Sequence, residues 1–230
     1  MLRCPEIQIA LRIVERDKRY LLDEVWDGVL VDIEHAATTA IFENQPMNVL
    51  PNNLMRSPKG AQTTKTIYVL TTGGTIEKAY SERSGTVQNL ESKIDRYLAL
   101  LRLPDCEVNV VPVMNKDSPE MTDQDRTILL GMVRAILKEK APIVITHGTD
   151  TMVQTGLYLQ QALPEAELPI VLTGAMTPLG FEGSDGLQNL TECLLVAQIV
   201  SPGVYIVMHG RCHPVHQVRK DHSLGRFVSC

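Results

Sequence analysis

The stretch Pro142–Thr151, PIVITHGTDT, changes character halfway along. Ile143, Val144 and Ile145 are three β-branched side chains in a row, the composition of a strand covered on both faces. His147, Gly148, Thr149, Asp150 and Thr151 follow at once, one glycine and four hydrogen-bonding side chains. A turn needs a glycine or an aspartate, but not two threonines around the aspartate. The strand is therefore read as delivering polar groups to a sheet edge.

Outward from this stretch the pattern repeats. Apolar runs at Ile67–Leu70, Val108–Val113, Ile170–Leu172 and Val204–Val207 read as further strands. Helical candidates lie between them. LESKIDRYLALL carries Leu90, Ile94, Leu98 and Leu101 at helical spacing. TDQDRTILLGMVRAILKEK opens with Thr122 and Asp123 in capping positions, turns Ile128, Val133 and Ile136 inward, and ends in lysines. TGLYLQQAL and LQNLTECLLVAQIV follow the third and fourth strands. Alternating strands and helices predict an α/β fold, an open and mostly parallel sheet with helices on both faces. In such a sheet ligands bind beyond the carboxyl ends of the strands. The segments there are TTGGTIEKAY, VMNKDSPEM, THGTDT, TGAMTPLGFEGSDG and MHGRCHPVHQVRK.

Residues 51–65, PNNLMRSPKGAQTTK, are poor in apolar residues and read as a linker. It divides a main domain over residues 66–230 from an N-terminal extension over residues 1–50. In the extension Ile7, Ile9, Leu11 and Ile13 alternate as in a half-buried strand, and Asp27-Gly28 suggests a hairpin turn, so a small β-rich piece is expected. The opening hairpin faintly resembles the first strands of Nudix hydrolases, without their acidic helix motif. Some fifty residues bury little core of their own. With 22 basic and 27 acidic residues the net charge is 22 − 27 = −5, which argues against a nucleic-acid partner. No apolar run reaches the roughly 18 residues of a membrane span, so no membrane partner is expected. Five cysteines without CxxC spacing and the absence of an export signal suit a cytoplasmic protein.

Each polar segment admits a bland reading beside a functional one. Gly73 and Gly74 permit a sharp turn, from which Thr75 projects as a helix cap or as a nucleophile. Thr149 and Asp150 open the next helix or form a hydroxyl–carboxylate pair. Lys220, the only lysine beyond Lys140, is a solvated charge or a base. His147 reads as a structural hydrogen-bonding residue. Ser184-Asp185-Gly186 reads as a helix start. His209, Cys212, His213, His216 and His222 do not have a familiar zinc spacing, so no metal is assigned.

TGGTI at 72–76, DSPEM at 117–121, HGTDT at 147–151, GAMTP at 174–178 with the SDG and NL that follow, and a late lysine occur in one order. Together they resemble the bacterial-type L-asparaginase family, over roughly Thr66 to Arg226. The resemblance implies an amidohydrolase that converts L-asparagine, and more slowly L-glutamine, to the acid and ammonia with no cofactor. It implies Thr75 as the nucleophile and Tyr80 as its activator on a mobile loop. By the same resemblance Thr149, Asp150 and Lys220 match the second catalytic set, with Asp150 implied also to hold the substrate α-ammonium. Ser118 is implied as the α-carboxylate site, with Gly74, Pro119, Gly148 and Ala175 lining the substrate.

Some features depart from the family pattern. Full-length members have a second, smaller C-terminal domain that lends residues to a neighbouring subunit's site. The chain here stops at Cys230, so a short single-domain form of weaker affinity is expected. Pro119 stands where a glutamine contacts substrate in secreted members, and Glu120 replaces an aspartate. The family implies a homo-oligomer. Two other functions fit the same motifs: a non-catalytic amino-acid-binding or regulatory module, and a component of an amidotransferase.

Overall fold

The computed structural model describes residues 64–230. The extension expected over residues 1–50, and the linker as far as residue 63, lie outside the described residues. Strand β1 (Lys65–Gly73) sits inside a six-stranded sheet with β4 (Cys106–Lys116), β5 (Ile143–Thr146), β6 (Pro169–Thr173), β7 (Gly203–Met208) and β8 (Arg211–Pro214). The spatial order is β4-β1-β5-β6-β7-β8. The first five strands run parallel and β8 returns antiparallel to β7. All five apolar runs read from the sequence fall inside these parallel strands.

Successive side chains of a strand point to opposite faces, so a strand covered on both sides must be apolar throughout. Leu70, Ile143, Ile145, Ile170 and Leu172 join a core with α2 (Asp123–Lys138) and α3 (Met152–Ala162). Ile67, Val69, Val144 and Val171 join a second core with α1 (Ile94–Leu98) and α4 (Gly186–Ile199) on the other face. The doubly covered sheet expected from the alternation is thus present. A capping box opens α2: the Thr122 hydroxyl accepts from Asp125 N–H while the Asp125 carboxylate accepts from Thr122 N–H.

Two helical expectations need correction. The spacing turns Ile128 inward, yet this side chain is 51% exposed. The buried stripe of α2 is Arg126, Leu129, Leu130, Val133 and Ile136, and position 128 falls outside that face. The spacing also includes Leu90 in a helix, but α1 begins only at Ile94. Leu90 directly follows a strand, and its carbonyl accepts from the Asn115 side chain, which commits it to an extended link.

Two short antiparallel hairpins stand beside the main sheet: β2 (Lys78–Ser81) with β3 (Thr86–Asn89), and β9 (Val218–Asp221) with β10 (Arg226–Ser229). Among the described residues no helix is long and apolar enough to cross a membrane.

Candidate active site

Parallel pairing places Thr71 of β1 opposite Thr146 of β5, so both strands deliver their polar ends to one edge. The Thr72 hydroxyl donates to Thr146 C=O at 2.8 Å and pins the two ends together. The chain beyond β1 turns at Gly74, with φ 79°, a left-handed conformation that glycine adopts freely. A Cβ at Gly74 would lie 2.4 Å from Gly148 Cα, and one at Gly148 would lie 2.6 Å from Ser118 Oγ. The turns after β1, β5 and β4 are therefore in direct contact, with glycine required at both interfaces. Thr75 follows one of these glycines and Thr149 the other. This packing explains why PIVITHGTDT places its glycine before the threonine.

Thr149 is almost fully buried, and its Oγ1 accepts from Lys220 Nζ at 2.7 Å. The same ammonium donates to Asp150 Oδ1 at 2.6 Å. The Lys220 side chain is 13% exposed and that of Asp150 48%. Lys220 thus reaches the end of β5 from β9, with Asp150 opening to solvent beside it. With Lys220 as the donor, the proton of Thr149 is left to point elsewhere. Ser118 is buried, and its Oγ accepts from Asp150 N–H at 3.2 Å, while its carbonyl accepts from the Thr151 hydroxyl at 2.8 Å. Thr75, half-buried, opens the single turn Thr75–Glu77.

The remaining expected residues are less closely engaged. Tyr80 lies on β2, 59% exposed. The β2–β3 register pairs Lys78 with Asn89 and Tyr80 with Val87, so all four share one hairpin face. That face touches the site at its base, where Lys78 Nζ lies 2.7 Å from Asp117 Oδ2. Pro119 is exposed in the turn after Ser118. Ala175 is fully buried against the second core in the loop after β6.

Three features carried no local sequence signal or only part of one. Glu77 is buried to 2% exposure, two residues after Thr75. Burial pushes its carboxyl pKa up, against hydrogen bonds from the hydroxyls of Thr71, Thr146 and Ser92. Asp185 does start α4, but its side chain turns back to accept from Met176 N–H and Thr177 N–H and pairs with His209 Nε2 at 2.7 Å. Burial alone would raise this carboxyl; the two backbone donors and His209 outweigh it and hold the pKa below the ordinary range. His147 is fully buried, and its Nδ1 donates to Gly148 C=O at 2.7 Å. Burial brings its pKa down to about 4, so the ring is neutral at pH 7.

The histidines near the late lysine have separate partners: His209 meets Asp185, His213 meets Ser229, and His216 meets Gln160 and Gln217. Among the described residues no three His, Cys, Asp or Glu side chains converge as a metal would require.

A mostly parallel sheet whose polar edge gathers two threonines, an aspartate and a lysine defines an α/β class of fold with a built polar site, and comparison with known proteins identifies the family. The family model described as Asparaginase, N-terminal, matches residues 66–227. The chain belongs to the asparaginase family and matches its N-terminal domain. It is 31% identical to the L-asparaginase of Thermococcus kodakarensis over 159 residues, 69% of this chain and 48% of that protein. It is also 31% identical to a glutamyl-tRNA(Gln) amidotransferase subunit of Methanococcus vannielii over 185 residues, 76% of this chain and 42% of that protein. The solved structure of the thermostable Thermococcus kodakarensis L-asparaginase superposes with a TM-score of 0.63, at 31% identity, covering 71% of this chain and 51% of that one. The chain spans about half the length of the relatives it matches or less.

Proposed function

We propose that the chain hydrolyses the side-chain amide of L-asparagine to give L-aspartate and ammonia. The observation that carries this reading is the Lys220 ammonium held at 2.7 Å from Thr149 Oγ1 and 2.6 Å from Asp150 Oδ1. Water is a weak nucleophile, and a buried hydroxyl held by a lysine and a carboxylate can orient and polarise it. In this reading Thr75 Oγ attacks the amide carbon, and its proton leaves with the departing ammonia through Tyr80. Tyr80 reaches Thr75 when its hairpin closes over the substrate. An ester to Thr75 remains. Thr149 and Lys220 then direct water onto the ester, releasing aspartate and restoring Thr75. Backbone N–H groups of the Gly74 and Gly148 turns face the developing oxyanion. The free face of the Asp150 carboxylate takes the substrate α-ammonium, and Ser118 takes the α-carboxylate beside the exposed Pro119, with Ala175 packed behind the site. The chemistry uses no cofactor. We place the protein in the cytoplasm, as a homo-oligomer acting on free amino acids.

A second reading draws support from the amidotransferase component among the relatives: the released ammonia is passed to a partner protein. Ammonia release from L-asparagine, L-glutamine and D-asparagine, with Thr75→Ala and Thr149→Ala beside the parent, tests both. Release from asparagine that both substitutions abolish supports the first. Release only in the presence of a co-purifying partner supports the second. Binding of asparagine by calorimetry with no release from any amide would make the chain an amino-acid binder.

A further inference from the structure

We propose that Asn89 is a positioning residue that sets the substrate length the site accepts, separating a four-carbon from a five-carbon amide. The proposal rests on the amidohydrolase reading above.

An ω-amide substrate must span two points, the nucleophile that meets its amide carbon and the group that holds its α-carboxylate. In this chain those points are Thr75 and Ser118. They stand on turns that leave neighbouring strands, β1 and β4, and strand pairing would ordinarily fix their spacing. Here it does not. The β1–β4 register runs evenly to Thr71 opposite Pro112, then jumps to Gly73 opposite Lys116. Two steps along β1 match four along β4, so the ladder is broken just before the two turns.

Asn89 bridges this gap. With its amide nitrogen toward β1, it donates to Gly74 C=O at 3.1 Å and its oxygen accepts from Asp117 N–H at 3.2 Å. Gly74 immediately precedes Thr75, and Asp117 immediately precedes Ser118. One side chain thus holds both points of the span by their backbones. Gly74 N–H donates to Lys116 C=O at 2.9 Å and Lys78 reaches Asp117 from beyond the first turn, but Asn89 is the side chain that bridges the two residues directly preceding Thr75 and Ser118. Asn89 is itself steadied, because its cross-strand partner Lys78 pairs with Asp117 at 2.7 Å. Without the Asn89 amide the bridge between Gly74 and Asp117 is lost, the spacing of Thr75 and Ser118 is set less sharply, and a site suited to one methylene more readily admits two.

The test is the ratio of kcat/KM for L-asparagine to that for L-glutamine in the parent, Asn89→Ala and Asn89→Asp. Asn89→Asp is isosteric and keeps the acceptor for Asp117 N–H but loses the donor to Gly74, so it remains informative if the alanine variant folds poorly. A well-fitted methylene is worth roughly 10- to 200-fold in specificity, and the expected result is a ratio reduced about tenfold in both variants. Gln88→Ala, on the opposite hairpin face, should leave the ratio at the parental value. A loss of stability alone would lower both rates together. An unchanged ratio in the two Asn89 variants therefore overturns the proposal. If the parent releases no ammonia, the amidohydrolase reading fails by itself, and relative affinities for L-aspartate and L-glutamate by calorimetry take over. A parental preference for aspartate that shrinks in Asn89→Asp supports the spacing role. An equal preference in both proteins, or no binding by the parent, overturns it.

Discussion

The two hairpins are near twins in plan. Each pairs two four-residue strands across a four-residue loop that ends in a left-handed glycine, Gly85 in one and Gly225 in the other. Each presents a proposed catalytic group at the third position of its first strand, Tyr80 or Lys220. Their surroundings differ. In β9–β10, Val218 and Phe227 are buried in the main core, and Phe227 pairs across the strands with Lys220. In β2–β3, Ala79 is the sole buried apolar side chain among the strand residues, and the cross-strand partner of Tyr80 is an exposed valine. One hairpin is an extension of the core and holds a cation in a fixed place. The other is held by the small Ala79 and, at its base, by Lys78 and Asn89. Burial of one aromatic side chain separates an arm seated in the core from one that lies largely outside it.

Removing that side chain should break the difference. Phe227→Ala is expected to cost about 4 kcal/mol of unfolding free energy, from lost apolar contact and a cavity, read by urea denaturation. It should also release Lys220 and lower ammonia release. A cost of under about 1 kcal/mol would mean that the hairpin is not part of the core.

The sheet edge between the arms is expected to be acid-sensitive through His147. Its folded pKa of about 4 lies below the ordinary 6.5, so the unfolded chain binds more protons between these values. Stability is fully present above about pH 6.5 and falls by about 3 kcal/mol as pH drops to 4. His147→Gln should flatten that slope without involving either hairpin. Denaturation midpoints across this range decide the point.

Lys220→Met keeps the length of the fixed arm and removes its charge. Amide hydrolysis should fall about 100-fold or more with little change in thermal midpoint. Tyr80→Phe should leave stability unchanged altogether and act on kcat alone.

The finest distinction comes from the loop glycines. Both have open space where a Cβ would go, so alanine there meets only the left-handed backbone penalty of about 1 kcal/mol. Gly225→Ala should show this cost in global unfolding. Gly85→Ala should not, because its hairpin can open without the core. Equal costs would make the twins energetically alike.

Much of this architecture is legible in the chain itself. The parallel strands are continuous Val/Ile/Leu runs because both faces are covered, and such runs are visible in a one-dimensional pattern. Lys220 stands out as a late, isolated lysine, and Thr75 and Thr149 as hydroxyls next to glycines. The phase of α2 is harder to read: Ile128, Leu129 and Leu130 are consecutive apolar residues, and only packing decides which of them faces outward. Glu77 and Asn89 are not legible. Each gains its environment from segments remote in sequence, Thr146 in one case and Asp117 in the other. Polar groups that tie separate segments leave no period in the chain. The contact between Gly74 and Gly148 is equally hidden, although both glycines are conspicuous.

The strand order also bears on when the site comes into being during synthesis. Of the described strands β1 is made first but is flanked only once β4 and β5 follow, and Thr149 has no lysine beside it until Lys220 has been made. Pairings this far apart must overcome the entropy of closing long loops, which slows folding. A nascent chain paused between residues 149 and 220 therefore carries both threonines without the lysine. Under the proposed function, a fragment that ends before residue 220 is expected to release no ammonia, because Thr149 then has no lysine beside it.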